Sequence, residues 1–155
     1  MNPEDTKKAI YSLTYGVYVI TSKRGVEVSA MTAVWVTQVS KEPMEVVLGL
    51  TPESCTTQML LESRIFAINV LAKEQQELAY ALGRATSSET DKLIGVPTMT
   101  AVTGVPILCD SIAYLDCRVV SETKAGSHYV IVGEVVGGSV LHDDVPAVYR
   151  NGKIF

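Results

Sequence analysis

Two long runs of alternating residues, separated by a short glycine turn, constrain this chain more than anything else in it. From Ile112 to Val120, Ala113, Leu115, Cys117 and Val119 fall on one face and Tyr114, Asp116 and Arg118 on the other, the period of a half-buried antiparallel strand. Ala125-Gly126-Ser127 then turns the chain into a second β-rich run, Tyr129 to Val136. A hairpin of this length commits the fold to antiparallel pairing.

The rest of the chain supplies partners for it. Val17 to Thr21 and Val26 to Val36 are rich in Val, Thr, Tyr and Trp and flank Ser22-Lys23-Arg24-Gly25, which reads as a hairpin turn. Glu45 to Leu50 and Ile65 to Leu71 are two further strands, and Ala147 to Arg150 adds a short last one. Helices are few. Asn2 caps a short helix that runs to about Ser12, with Pro3 at its first position. Ser54 to Ser63 reads as one amphipathic helix with Met59, Leu60 and Leu61 turned inward, and Lys73 to Leu82 as another that stops at Gly83. Periodicity then disappears from Arg84 to Pro106, a stretch holding Thr86-Ser87-Ser88, Gly95, Pro97 and Gly104; a connection this long inside a compact domain is functional or packed over a partner. About seven strands without a βαβ rhythm predict a mainly β, small antiparallel barrel.

At 155 residues the chain is expected to form a single domain, residues 1–155, around one core. Hydrophobic residues are 47% and charged residues 19%, which leaves apolar surface to bury between subunits, yet no apolar run is long enough to span a membrane. The formal net charge of -4 and the scattered basic residues exclude a nucleic-acid partner. The opening Met1-Asn2-Pro3-Glu4-Asp5 has no apolar segment of a secretory signal, so the expected location is the cytoplasm. Cys55, Cys109 and Cys117 make no metal spacing with His128 or His142 and are expected as reduced, mostly buried thiols; no metal site is expected.

Three places carry candidate chemistry. The stretch Met31-Thr32-Ala33-Val34-Trp35, continuing through Gln38-Val39-Ser40, interrupts its apolar face with small and hydroxylated residues. That composition lets a flat ligand approach the backbone and still find donors. Trp35 equally fits a core or interface position. Ser54-Cys55-Thr56-Thr57 immediately precedes the helical turn expected from near Gln58 and puts hydroxyls at a helix N-terminus, where unpaired N–H groups and the helix dipole favour a phosphate, although Ser and Thr are also the ordinary capping residues. His128, at the rim of the long hairpin, can donate to a ligand or relay a proton, or can be a plain turn histidine. His142, before Asp143-Asp144, reads as solvated. With no dinucleotide fingerprint, P-loop or catalytic triad, any chemistry belongs to a bound cofactor.

Four blocks resemble, in order, the flavin reductase-like family, the FMN-binding split barrels that include flavoredoxins and the reductase components of two-component monooxygenases. They are Tyr15-Gly16-Val17-Tyr18-Val19-Ile20-Thr21; Met31-Thr32-Ala33 through Val39-Ser40 with Pro43 after it; Phe66-Ala67-Ile68-Asn69-Val70-Leu71; and Gly126-Ser127-His128 with Gly133-Glu134-Val135. The resemblance covers almost the whole chain. It implies an FMN-binding split barrel, a Greek-key-like antiparallel barrel with a few short helices, that dimerises and holds FMN, or FAD, near the subunit interface.

Carried over by residue, Met31 to Trp35 would run beside the flavin ring, and Gln38, Val39 and Ser40 around the ribityl chain and phosphate. Ser54, Thr56 and Thr57 match the phosphate-side hydroxyls. His128 matches the histidine of a Gly-Asp-His turn facing the nicotinamide of NADH or NADPH. The chain departs from the pattern at Ser127, where the family has Asp, at Ala30 in place of Gly, and at Val34 in place of Ser. The implied activity is NAD(P)H-dependent reduction of flavin or another small acceptor, with a monooxygenase or electron-transfer protein as a possible partner. Two alternatives stay open: a flavin-binding electron carrier without its own nicotinamide site, and a barrel that has lost flavin.

Overall fold

The computed structural model describes residues 2–84 and 92–155. In chain order the elements are α1 (Pro3–Ile10), β1 (Tyr15–Gly16), β2 (Tyr18–Arg24), β3 (Glu27–Ala33), β4 (Val36–Lys41), β5 (Met44–Leu50), α2 (Cys55–Ser63), β6 (Ile65–Val70), a 3₁₀ turn (Lys73–Gln75), α3 (Gln76–Gly83), β7 (Thr98–Met99), β8 (Ile107–Leu108), β9 (Ala113–Ala125), β10 (His128–Val140), β11 (Val148–Arg150) and β12 (Lys153–Ile154). Seven strands form one antiparallel sheet in the order β3-β2-β6-β9-β10-β5-β4. A small sheet, β1-β11-β12, and the pair β7-β8 complete the set.

The order of the large sheet forces its shape. Its two edge strands, β3 and β4, are consecutive in sequence and joined by Val34 and Trp35 alone. In a flat sheet, edges six strand spacings apart would stand about 29 Å from each other. Three peptide links reach at most about 11 Å. The sheet therefore curls until its edges meet, and the seam runs past Trp35. A single strand over Val26 to Val36 is thus corrected to two strands on opposite edges, because β3 pairs with β2 while the Trp35 carbonyl turns to accept from the Gly49 N–H at 2.8 Å.

The expected turn at Ser22 to Gly25 also moves. Ser22, Lys23 and Arg24 stay in the ladder opposite Ser29, Val28 and Glu27, and buried Ser22 donates its hydroxyl to the Ile65 carbonyl at 2.8 Å. The turn is Gly25-Val26, with Gly25 at φ +60°, the positive φ that a two-residue hairpin loop needs at its first position. Gly126-Ser127 repeats this arrangement at the tip of the long hairpin, whose strands are 13 residues each.

The core has three parts. Ile20, Leu48, Leu50, Leu60, Phe66, Ile68 and Ile131 fill the curl beneath α2. On the other side of β2, Val17, Val19 and Leu71 meet Ala79 and Leu82 of α3, with Leu93 and Leu108. A third cluster, Ala67, Val105 and Ile107, lies with Tyr114. That last cluster corrects the solvent side of the β9 alternation. Asp116, on the polar face by period, is fully buried, because the loop before β8 crosses it and Thr103 donates both its N–H, at 2.8 Å, and its hydroxyl, at 2.5 Å. Of the cysteines only Cys117 is buried; Cys109 is half-buried and Cys55 exposed, so the thiols are not mostly buried. No helix of the described residues is long and apolar enough to cross a membrane.

Gly133 sits at a β-bulge of the hairpin, and a Cβ built there would lie 2.5 Å from Cζ of fully buried Phe66. Gly133→Ala should therefore cost about 1–3 kcal/mol of unfolding free energy, measured by urea titration, through forced displacement of the ring. Burial, and secondarily the Asp116 carboxylate, pushes the Cys117 thiol up from 9.0 to about 12. Below about pH 9 the thiol is protonated in both states; above it the unfolded chain loses the proton that the folded chain keeps. Stability should fall through this window by up to about 1.4 kcal/mol per pH unit from this group, and urea midpoints of Cys117→Ala between pH 8 and 11 should decline less steeply than those of the natural chain.

Candidate functional site

Side chains on β3 alternate, and the alternation divides the expected ring-side residues. Met31 and Ala33 pack with the core under α2. Thr32 faces the other way and donates its hydroxyl to the Ala79 carbonyl of α3 at 2.5 Å. Val34 and Trp35 form the corner between the sheet edges.

The start of α2 lies against the Met31 side. Ser54 is the N-cap, its Oγ accepting from the Thr56 N–H at 3.2 Å. Helix α2 begins at Cys55, so Thr56 and Thr57 belong to its first turn, and both are buried. The Thr56 hydroxyl pairs with that of Ser29 at 2.7 Å, while the Ser54 and Thr57 hydroxyls donate to the Met31 sulfur at 3.2 and 3.7 Å. A thioether is a weak acceptor. Half-buried Ser54 therefore holds a hydroxyl proton that an anionic oxygen would bind more strongly.

Two charge features bear on this region. Helices α1 and α3 carry Glu4, Asp5 and Glu77 in their first turns, whereas α2 has no acidic residue there and its neighbouring carboxylate, Glu53, lies outside the helix just before the cap. Lys92, half-buried, donates its ammonium to the Leu82 and Arg84 carbonyls at 3.1 and 2.8 Å beyond α3, and burial holds its pKa below the ordinary value. Sequence reasoning missed Lys92. Its signal was confined to the aperiodic stretch, where buried Leu93 is the anchor that positions it. The Thr86-Ser87-Ser88 part of that stretch lies outside the described residues.

At the corner itself the indole of Trp35, 47% exposed, lies with its ring centroid 4.7 Å from that of His128, the planes inclined by 53°. Gly49 makes room for it, since a Cβ there would meet the Trp35 ring and Cβ at 3.2 and 3.3 Å. His128 is half-buried, and its Nδ1 is 2.8 Å from Ser127 Oγ. Glu53, just before the α2 cap, is held below the usual carboxylate range first by the Thr51 hydroxyl and then by its own backbone N–H, with a smaller contribution from Lys124.

The structure thus brings Met31 together with Ser54, Thr56 and Thr57, and Trp35 with His128. Gln38, Val39 and Ser40 run on along exposed edge strand β4, with Gln38 donating to the Ser40 carbonyl at 3.0 Å. Ser40 pairs with Glu45, at the far end of β5 from Leu50, beyond which α2 begins. Five residue steps separate those ends, about 17 Å. Within one chain Gln38 to Ser40 and the start of α2 do not share one phosphate. His142, exposed as expected, bonds through Nε2 to the Cys109 carbonyl at 2.9 Å. It lines a polar groove with Glu74, Gln75, Asp110 and Asp144, away from Trp35 and α2. No group of three or more His, Cys, Asp or Glu that could hold a metal ion occurs among the described residues.

Comparisons with known proteins bear on this geometry. A ferric-chelate reductase (NAD(P)H) of Archaeoglobus fulgidus is 33% identical over 146 residues, covering 93% of this chain and 86% of that protein. Diflavin flavoprotein A 1 of Synechocystis is 31% identical over 97% of this chain, which spans only 26% of that longer protein. Among solved structures, flavin reductase PheA2 in its native state superposes with a TM-score of 0.85 at 26% identity, over 100% of this chain and 97% of that one. The model of the flavin reductase like domain matches residues 10–155, and the chain belongs to that family.

Proposed function

We propose that this protein is an FMN-binding oxidoreductase that uses NADH or NADPH to reduce flavin, or another small acceptor, through the bound cofactor. One observation carries the reading: the Ser54 hydroxyl and the N-terminus of α2 meet beside Met31, an anion site adjoining the Trp35 corner, and Lys92, whose ammonium lies beyond α3, is assigned to the same phosphate. That donor set fits the phosphate end of FMN, and FAD offers the same chemistry. Met31, Ala33, Val34 and Trp35, with the backbone of Thr32, are assigned to the ring side; Thr56 and Thr57 shape the first turn from within rather than reach the phosphate. Gln38, Val39 and Ser40 are assigned to a rim that a second copy completes in a homodimer, in keeping with the exposed Val39 and Met44 on that edge.

When bound, the flavin supplies the acceptor for a two-electron hydride transfer. The chain's own part is to bind and orient. Lys92 and the α2 N–H groups neutralise the phosphate, Ser54 turns its proton from sulfur to oxygen, and Trp35 limits access at the seam. His128, on the nicotinamide side, donates to the reductant.

A second reading, an electron carrier reduced by a partner protein, is favoured by Ser127 in place of the family's Asp and by diflavin flavoproteins in which the matching domain is part of a longer chain. Anaerobic NADH or NADPH should bleach the 450 nm band of the FMN-loaded protein; flavin that binds but stays oxidised would sink the first reading in favour of the second. His128→Ala should keep FMN bound while slowing this bleaching. Ser54→Ala combined with Lys92→Met should weaken FMN by about 2 kcal/mol or more, roughly 30-fold in Kd, and leave riboflavin, which has no phosphate, unaffected. Equal losses for both ligands would show that the phosphate is held elsewhere.

A further inference from the structure

We propose that Ser127 and Trp35 are positioning residues for His128. The Ser127 hydroxyl keeps the proton of the neutral imidazole on Nε2, and the Trp35 indole pins the ring, so that Nε2–H is presented as a donor to an acceptor oxygen on the reductant. The inference rests on the assignment of His128 to the nicotinamide side.

The geometry carries it in three steps. Ser127 Oγ and His128 Nδ1 are 2.8 Å apart, within hydrogen-bonding distance. An sp² imidazole nitrogen is a better base than a hydroxyl oxygen, so the favoured pairing is O–H donating to Nδ1, which leaves the proton on Nε2. Among the described residues Nε2 has no hydrogen-bond partner, although His128 is half-buried. The ring is held from the side by Trp35, 4.7 Å away, which is in turn seated over Gly49 where no side chain larger than hydrogen fits without displacement.

A carboxylate at position 127 would act in the opposite sense. It can only accept, so it would draw the proton to Nδ1, leave Nε2 as an acceptor, and favour the imidazolium. The charged groups beside His128 are Glu53, before α2, and Lys124, on β9, of opposite sign. Ser127 is the neighbour that discriminates between the two ring nitrogens. The identity of residue 127 therefore decides which hydrogen-bonding character the histidine offers at neutral pH.

Imidazole ¹⁵N shifts of the FMN-loaded, full-length protein test this directly at pH 8. His142 is the internal reference, since its Nε2 faces a carbonyl that can only accept and must carry the proton. His128 should match it. Ser127→Ala should give mixed tautomers, Ser127→Asp should move the proton to Nδ1, and Ser127→Thr should reproduce the natural chain. Trp35→Ala should abolish the ring-current shift on the His128 protons. In steady-state assays Ser127→Ala should lower kcat/KM for the nicotinamide about fivefold, with Ser127→Thr restoring it.

A natural chain with the proton on Nδ1, or tautomers indifferent to both Ala and Asp at 127, overturns the proposal. If the tautomer is as stated but His128→Ala reduces flavin at the natural rate, the fault lies in the role of His128, and the positioning claim falls with it.

Discussion

Everything distinctive in this structure depends on two residues being too short a link to leave a seven-stranded sheet flat. Val34 and Trp35 join opposite edges, so closure is covalent rather than hydrogen-bonded, and the edges meet without pairing. The seam draws together segments far apart in sequence. Met31 at the end of β3, Gly49 in β5, Ser54 before α2 and His128 at the hairpin tip come within reach of one corner. A site built this way is organised by the backbone, and its side chains need only the right chemistry at positions the curl already provides.

Polar burial supports the same geometry. Asn69 donates to the Val19 carbonyl at 3.0 Å and accepts from the Leu108 N–H at 2.8 Å, tying the central strands to the segment behind them. Thr21 donates to the Pro106 carbonyl at 2.6 Å, and Asp116 takes two bonds from Thr103. No buried side-chain nitrogen or oxygen among the described residues is left unpaired. These bonds are costly to leave half-made, so they favour one arrangement of the segment from Thr103 to Leu108 that precedes β9. The surface ion pairs of Arg24 with Glu27 and Glu62, and of Arg64 with Glu122, contribute little by comparison.

Much of the fold was legible in local pattern. Alternation identified β9, glycine chemistry identified the Gly126-Ser127 turn, and the hydroxyl cluster from Ser54 marked the start of α2 to within a turn, since the helix begins at Cys55 rather than near Gln58. The break at Val34-Trp35 was not legible, because neither residue is a breaker and both neighbours are strand formers; only the sheet order reveals it. Asp116 misled for a related reason, since a period of two says which residues share a face but not what will later cover that face. At the site, the members were readable and their partition was not. Alternation on β3 sends Met31 and Thr32 to opposite sides, and β5 separates Ser40 from Ser54. Lys92 left no local signal, because its place is set by Leu93 packing among residues distant in sequence.

The small sheet has a consequence of a different kind. Tyr15 of β1 pairs with Tyr149 of β11, so the chain enters and leaves the barrel at one spot, on strands held side by side. A unit whose entry and exit adjoin can be spliced into or appended to a larger polypeptide without stretching its own sheet. In diflavin flavoprotein A 1 of Synechocystis the matching region is 26% of a longer chain. For this fold, modularity is a by-product of where two short strands happen to zip together.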